Sequence, residues 1–490
     1  PSYKNELHQI FEEYSLFINK KMSYYCYFLF LADKFLQLGG KIAAVIPASF
    51  LRVDTTFKVR KWLLKQYNIQ YIICQQDKPN FSEDTAFREI LLIATKNGPT
   101  AEIEYIIVKD LEETESFEKI PDSWRIRKIS YDELSSNNLF LPIATMTESN
   151  LLEIWQRFSK QKDLVSIDIF LRSTKTGLKR GIETSGGFKI RDMVINEFRS
   201  KYLRPNDIWV YDNESHTHVK SIDRYSNHRI SIPKGCLIPH LRRMSGECRL
   251  DISNKKEYVI ISLFPKLEDV LNTNEKNRES ISVRLDLWRT YVKERTTNLM
   301  VARRFDLSAS GTALFSYFSK EKRAPPGVMW SILDISHDDA KILCLFFNCT
   351  LNILQIFLNR VETRGAWMQL HEYVIKDLMI PNIHNWSIEK KIPFYQLFDE
   401  IKVEEFPPLW QQLAMNISIS EINDENYNLL KSQFPKFFQV VGKQFIPRKK
   451  IDILFFERLG IKDQNKGEVL LRDMYLSLLI EIALLKKMMK

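Results

Sequence analysis

Between residues 24 and 96 the spacing of apolar positions switches repeatedly between helical and strand-like periods, and each switch predicts a new element. Tyr24, Tyr25, Phe28, Leu31, Phe35 and Leu38 recur every three or four residues. That spacing predicts a helix ending at Gly39-Gly40, where glycine can take a left-handed turn. Lys41-Ile-Ala-Ala-Val-Ile-Pro47 predicts a strand covered on both faces and closed by a proline that cannot donate to a ladder. An amphipathic helix over 57–66, a buried strand over 69–74, a polar loop over 75–83 carrying Phe81 and a strand over 90–94 complete the series. Strand and helix alternate, so a parallel sheet is the expected arrangement.

Further along, the polar, irregular stretch 119–149 with Pro121 and Pro142 predicts a boundary. A helix is expected over 151–158, a strand over 167–171, and one long helix over 338–359 through Leu343, Leu345, Phe346, Leu351, Leu354 and Leu358. The tail carries helical spacing at 409–415, 427–434 and 469–489. The expected division is 1–120, a mixed α/β region 150–385 and a helical region 386–490.

A chain of 490 residues with 44% hydrophobic content has enough apolar mass for several cores. Its six cysteines show neither a disulfide framework nor paired metal spacing, which points to a reducing compartment. His216 and His218 lack a nearby third ligand and are read as structural, so no metal is expected. The most apolar tail, 469–485, is interrupted by Arg472, Asp473 and Glu481. No membrane span is expected, and the location is read as cytoplasmic.

The net charge of +10 favours a polyanionic partner over mere solubilisation only if the basic residues are specially placed. They cluster with glycines and aromatics at Lys175, Lys179 and Arg180, at Arg242 and Arg243, at Arg303 and Arg304, and at Arg364 with Trp367. These are the candidate DNA contacts, since glycine admits a phosphate, arginine can take a guanine edge and tryptophan can stack or wedge. The competing readings are an ion-paired surface, with Glu247 and Asp251 beside Arg242 and Arg243, and a core role for Trp367.

The order of elements over 24–96, with Gly39-Gly40-Lys41, Ile46-Pro47, Phe50, Phe81 and Ile90, resembles the second half of an adenine-N6 DNA methyltransferase of a restriction-modification system. The resemblance implies the second half of a Rossmann-like sheet dependent on S-adenosylmethionine. It places Phe81 where a ring stacks on the adenine flipped from double-stranded DNA, and Phe28 near the adenine of the methyl donor. Ser23 departs from the acidic or amide residue common at the head of that helix. Residues 150–385, with the Arg364-Gly-Ala-Trp367 loop after a helix, resemble the target recognition domain of such enzymes, which a helical C-terminal region would follow.

Two motifs that the family uses are not in this sequence: the glycine-rich turn that approaches the donor, and Asn or Asp followed by two prolines and an aromatic. Ala324-Pro-Pro-Gly327 and Phe406-Pro-Pro-Leu409 carry the prolines alone. The chain begins at Pro1, so the expectation is that an upstream catalytic half, in the same or another chain, holds both motifs. This polypeptide by itself is then not expected to transfer methyl groups. Two other readings are a non-catalytic DNA-recognition or specificity subunit, and part of a fused restriction-methylation enzyme.

Overall fold

The computed structural model describes residues 2–75, 81–82, 88–108, 124–131, 151–183, 193–197, 207–265, 267, 278–360, 367–414, 445–461 and 463–487. Helix α1 (Ser2–Ile10) precedes α2 (Tyr25–Phe35), whose inner face buries Cys26, Tyr27, Leu29 and Phe30. Gly39 takes the left-handed turn, with φ +85°, and its N–H donates to the Lys96 carbonyl at 2.7 Å. Strand β1 (Lys41–Pro47), helix α3 (Phe57–Gln66) and strand β2 (Asn68–Gln75) follow as a strand-helix-strand unit, then β3 (Glu89–Thr95) and β4 (Glu102–Val108).

The sheet order is β1-β3-β2-β4-β5, where β5 is Arg125–Ser130. This corrects the all-parallel expectation, because β3 runs antiparallel to both β1 and β2, and only β2 and β4 pair in parallel. The central position of β3 explains its unbroken apolar run: Ile90, Leu92 and Ala94 are fully buried, and Leu91 and Ile93 face a second small cluster. Strand β5 also lies inside the stretch expected to be an irregular boundary. There it pairs antiparallel with β4.

Among the described residues β1 pairs only with β3, so its other edge has no partner. Near that edge in sequence, Phe28, Leu31 and Phe35 of α2 and Val45 of β1 are exposed apolar side chains.

The second half begins with α4 (Leu151–Ser159), β6 (Leu164–Ser166) and α5 (Ile167–Thr174). The strand expected over 167–171 is thus a helix. Ser166 caps it by accepting from the Ile169 N–H, and a short apolar run cannot be assigned by period alone. Strands β7 (Gly177–Arg180), β8 (Val194–Ile195), β9 (Trp209–Glu214), β10 (His218–Asp223), β11 (Arg229–Pro233), β12 (Leu237–Pro239) and β13 (Tyr258–Ile260) follow, then helix α6 (Arg278–Lys293). β9 to β11 form an antiparallel meander, and β12, β13 and β8 a second small sheet. Both pack around a core that includes Trp209, Ile232, Val259 and Trp288.

Strand β14 (Thr297–Ala302) leads to β15 (Arg304–Asp306), β16 (Ser316–Arg323) and β17 (Met329–Leu333). The order β16-β14-β17-β7 makes an antiparallel sheet with β14 fully buried at its centre. Helices α7 (His337–Asn348) and α8 (Thr350–Asn359) replace the single helix expected over 338–359, with a 64° bend between them.

The break is stabilised from afar. Arg448 donates to the Asn348 carbonyl at 2.7 Å, and the Asp452 carboxylate accepts from the Thr350 N–H at 2.6 Å, so both new helix ends find partners. The remaining elements are β18 (Trp367–Gln369), α9 (Glu372–Asp377), β19 (Met379–Pro381), α10 (Ile388–Ile401), α11 (Leu409–Leu413), α12 (Ile446–Arg458) and α13 (Gln464–Lys487). The helix expected at 427–434 lies outside the described residues. Helices α7, α8, α10, α12 and α13 share one apolar core with the first sheet. No single helix among the described residues is long and apolar enough to cross a membrane.

Candidate nucleic-acid interface

Strands β15 and β18 form a two-stranded antiparallel ribbon with Arg304 opposite Gln369, Phe305 opposite Met368, and Asp306 opposite Trp367. Alternation fixes its two faces: Phe305, Met368 and the following Leu370 are buried, whereas Arg304 and Trp367 are exposed and Gln369 is partly so. The ribbon is tied to the main sheet. The N–H groups of Arg303 and Arg304 donate to the Val328 carbonyl at 2.8 and 3.0 Å, the Leu370 N–H donates to Arg303 O at 2.8 Å, and Trp330 Nε1 donates to Leu370 O at 3.0 Å.

Positive charge is concentrated beside this ribbon. Arg180 Nε and Arg303 Nη1 donate to the same carbonyl, that of Gly327, at 3.1 and 3.2 Å. Arg303 is only 6% exposed, its Nε has no partner, and its guanidinium lies 5.6 Å from the Trp330 ring centroid. Burial, followed by the charges of Arg180 and Arg304, pulls its pKa down to about 10. Arg180 is lowered by burial and by Arg304, and His371 by burial, Arg303 and Arg304.

Few acids oppose this charge. Glu183 pairs with Arg180, while the Asp306 carboxylate accepts from the Ser308 N–H and hydroxyl, each at 2.8 Å. Among the described residues Arg304 has no ion-pair partner. Arginine does not shed its proton at neutral pH, so such a group lowers its energy by taking up an anion.

The structure therefore brings Arg180, Arg303, Arg304 and Trp367 into one neighbourhood. Lys175 stands exposed as the left-handed residue that ends α5. Lys179, on the same edge strand as Arg180, pairs with Glu294 at 2.8 Å. Arg364 lies outside the described residues. Arg242 and Arg243 are partly buried, and both pair with the buried Asp207, a partner other than the Glu247 and Asp251 considered from sequence.

Sequence reading did not nominate Gln369 and His371. The signal was there in Trp367-Met-Gln-Leu-His371, whose strict polar-apolar alternation puts three polar or aromatic groups on one face.

At the first sheet, Phe81 is half-buried against Ile73, Ile106, Val108 and Trp124. The Glu89 carboxylate fixes its turn by accepting from the N–H groups of Phe81 and Ser82 at 3.0 and 2.9 Å. Phe28 stands 68% exposed on α2. The exposed stripe beside it, Tyr24, Leu31 and Phe35, is aromatic and aliphatic. S-adenosylmethionine carries a ribose, an amino-acid head and a sulfonium that require polar partners, so this stripe alone does not fit the donor. His218 Nδ1 contacts the Thr217 hydroxyl at 2.9 Å, and no group of three metal-ligating side chains occurs among the described residues. None of the six cysteines is in a disulfide.

Residues 2–81 match the family model described as Eco57I restriction-modification methylase, so the N-terminal segment is similar to restriction-modification methylases. Among curated proteins none matches the chain. Two solved structures overlay on nearly all of it. The type IIG restriction endonuclease BpuSI does so at 13% identity, over 95% of this chain and 53% of its own, with a TM-score of 0.40. The type IIL restriction-modification enzyme MmeI, in complex with DNA, does so at 10% identity, over 99% and 55%, with a TM-score of 0.45. The chain spans about half the length of each.

Proposed function

We propose that this chain supplies the last strands of the methylase sheet and the DNA-recognition surface of a restriction-modification methylase that moves a methyl group from S-adenosylmethionine to adenine N6 in duplex DNA. The observation that carries the reading is the group Arg180, Arg303 and Arg304, with Arg180 and Arg303 sharing the Gly327 carbonyl and Arg304 exposed on a ribbon that also exposes Trp367. A duplex backbone offers the compensating charge, at one phosphate per about 1.7 Å of axis. Methyl transfer also needs a donor pocket and a polar tetrapeptide. The unpartnered edge of β1 is where a sheet bearing both would pair with this chain.

Phe81 would then stack on the flipped adenine, returning about 1–3 kcal/mol toward unstacking, by analogy with bases bound on aromatic platforms. A second reading makes the chain the recognition part of an enzyme that also cleaves DNA, or a non-catalytic specificity subunit. It shares the same basic interface and differs in what completes β1.

The test is a selection of randomised duplex DNA on the 490-residue chain at moderate salt. Enrichment of one short motif containing adenine supports the reading. Retention without a motif, or no retention, overturns it.

A further inference from the structure

We infer that the β15–β18 ribbon reads base edges in the major groove, with Gln369 specifying an adenine and Arg304 a guanine. The inference rests on the reading of this chain as a DNA-recognition module, and goes beyond it by assigning sequence readout to two residues.

Size and rigidity support the assignment. Paired strands lie about 4.8 Å apart, and a two-stranded ribbon fits a major groove about 12 Å wide. Phe305, Met368 and Leu370 anchor the inner face in the core, so the outer face cannot rotate away. Arg304 and Gln369 are direct cross-strand neighbours on that outer face, and among the described residues Arg304 has no ion-pair partner.

Gln369 is supported on that outer face by its neighbours along the strand. Its Nε2 lies 3.1 Å from His371 Nε2, and the His371 ring is parallel to the Tyr373 ring at 5.5 Å and 4°. The amide nitrogen thus rests against the imidazole, 3.3 Å from Nδ1 as well, which restricts the side chain's rotation. Its amide offers an N–H donor and the Oε1 acceptor side by side, the pair that matches adenine N7 and N6. Arg304, exposed and without an ion-pair partner, keeps both arms of its fork for guanine O6 and N7. Arg180 sits on the neighbouring edge strand β7, where phosphate contact needs no sequence information.

The experiment compares the selected motif of the full chain with those of Gln369→Ala, Arg304→Ala and Gln369→Glu. Gln369→Ala is expected to lose preference for adenine at one position, and Arg304→Ala for guanine at another, each by about 5- to 150-fold, with the rest of the motif kept. Gln369→Glu is expected to gain preference for cytosine at the adenine position, a result that an unfolded protein cannot give. If all three variants return the parental motif with uniformly weaker retention, these side chains contact phosphate and the inference fails while the DNA-recognition reading stands. If the parent chain itself selects no motif, both fall together.

Discussion

Arg52 and Asn359 lie 307 positions apart in sequence, yet the guanidinium of the first donates to Oδ1 of the second at 3.3 Å. The same side chain, 3% exposed, also donates to the carbonyls of Leu358 and Arg360. Arg52 therefore caps the C-terminal end of α8 from the turn after β1, and ties the first sheet to the segment that leads toward the ribbon. Arg52→Ala should cost roughly 2–4 kcal/mol, because it removes charge-assisted hydrogen bonds and strands buried carbonyls. Denaturant midpoints would show this, and Arg52→Lys should recover only part of the loss because an ammonium lacks the planar fork.

Asp33 makes stability depend on acidity. Burial acts to raise its carboxyl, but hydrogen bonds from Lys96, Tyr14 and Tyr67 outweigh burial and hold it below the ordinary carboxylate value. A folded-state value below the unfolded one, which is about 4, means that this stabilisation is complete above that pH and is lost as pH falls through the folded value. Asp33→Asn should be less stable than the parent at pH 7 and should show a weaker loss on acidification. Urea titrations at pH 7 and at a pH below the unfolded-state value of about 4 check it, and an unchanged acid limb would refute the assignment.

Under the proposed function, Arg180 serves the electrostatic side of the interface. Arg180→Gln should weaken binding of all duplexes alike and lower the slope of log affinity against log salt by about 0.9, the value for one phosphate contact on B-DNA. A changed motif with an unchanged slope would instead make Arg180 a base reader.

Under the proposed function, Phe81 acts in the chemistry rather than in recognition. In a complete enzyme Phe81→Ala should lower methylation and base extrusion while leaving specific binding nearly intact. 2-Aminopurine placed at the target position reports extrusion by fluorescence. Parental fluorescence and turnover in the variant would remove Phe81 from the mechanism.

Much of the first sheet was legible because its signals are local. The three- and four-residue spacing gave the existence of α2, although the helix ends at Phe35 with Leu36 extended rather than at Gly39-Gly40, and the apolar runs gave β1, β2 and β3; Gly39 does take a left-handed turn, three residues beyond that cap. The direction of β3 was not legible. An apolar run reports that a strand is covered, whereas its partners and polarity depend on which neighbours close the sheet. Residues 167–171 misled for a related reason: five residues of Ile-Asp-Ile-Phe-Leu satisfy either period, and the Ser166 cap tips them into a helix.

The basic clusters follow the same division. Sequence alone located Arg180, Arg303, Arg304 and Trp367 as residue types able to meet DNA, and it equally offered Arg242 and Arg243, which differ only in what surrounds them. Asp207, 35 positions from Arg242 and 36 from Arg243, claims that second pair in the interior. The bend between α7 and α8 likewise needed Arg448 and Asp452, about a hundred residues downstream, to satisfy the backbone groups freed by the break. Local periodicity, turn chemistry and residue type were fixed by the chain itself. Strand direction, charge pairing and the convergence of the cationic ribbon were decided only in three dimensions, because each depends on burial and on partners that lie far away in sequence.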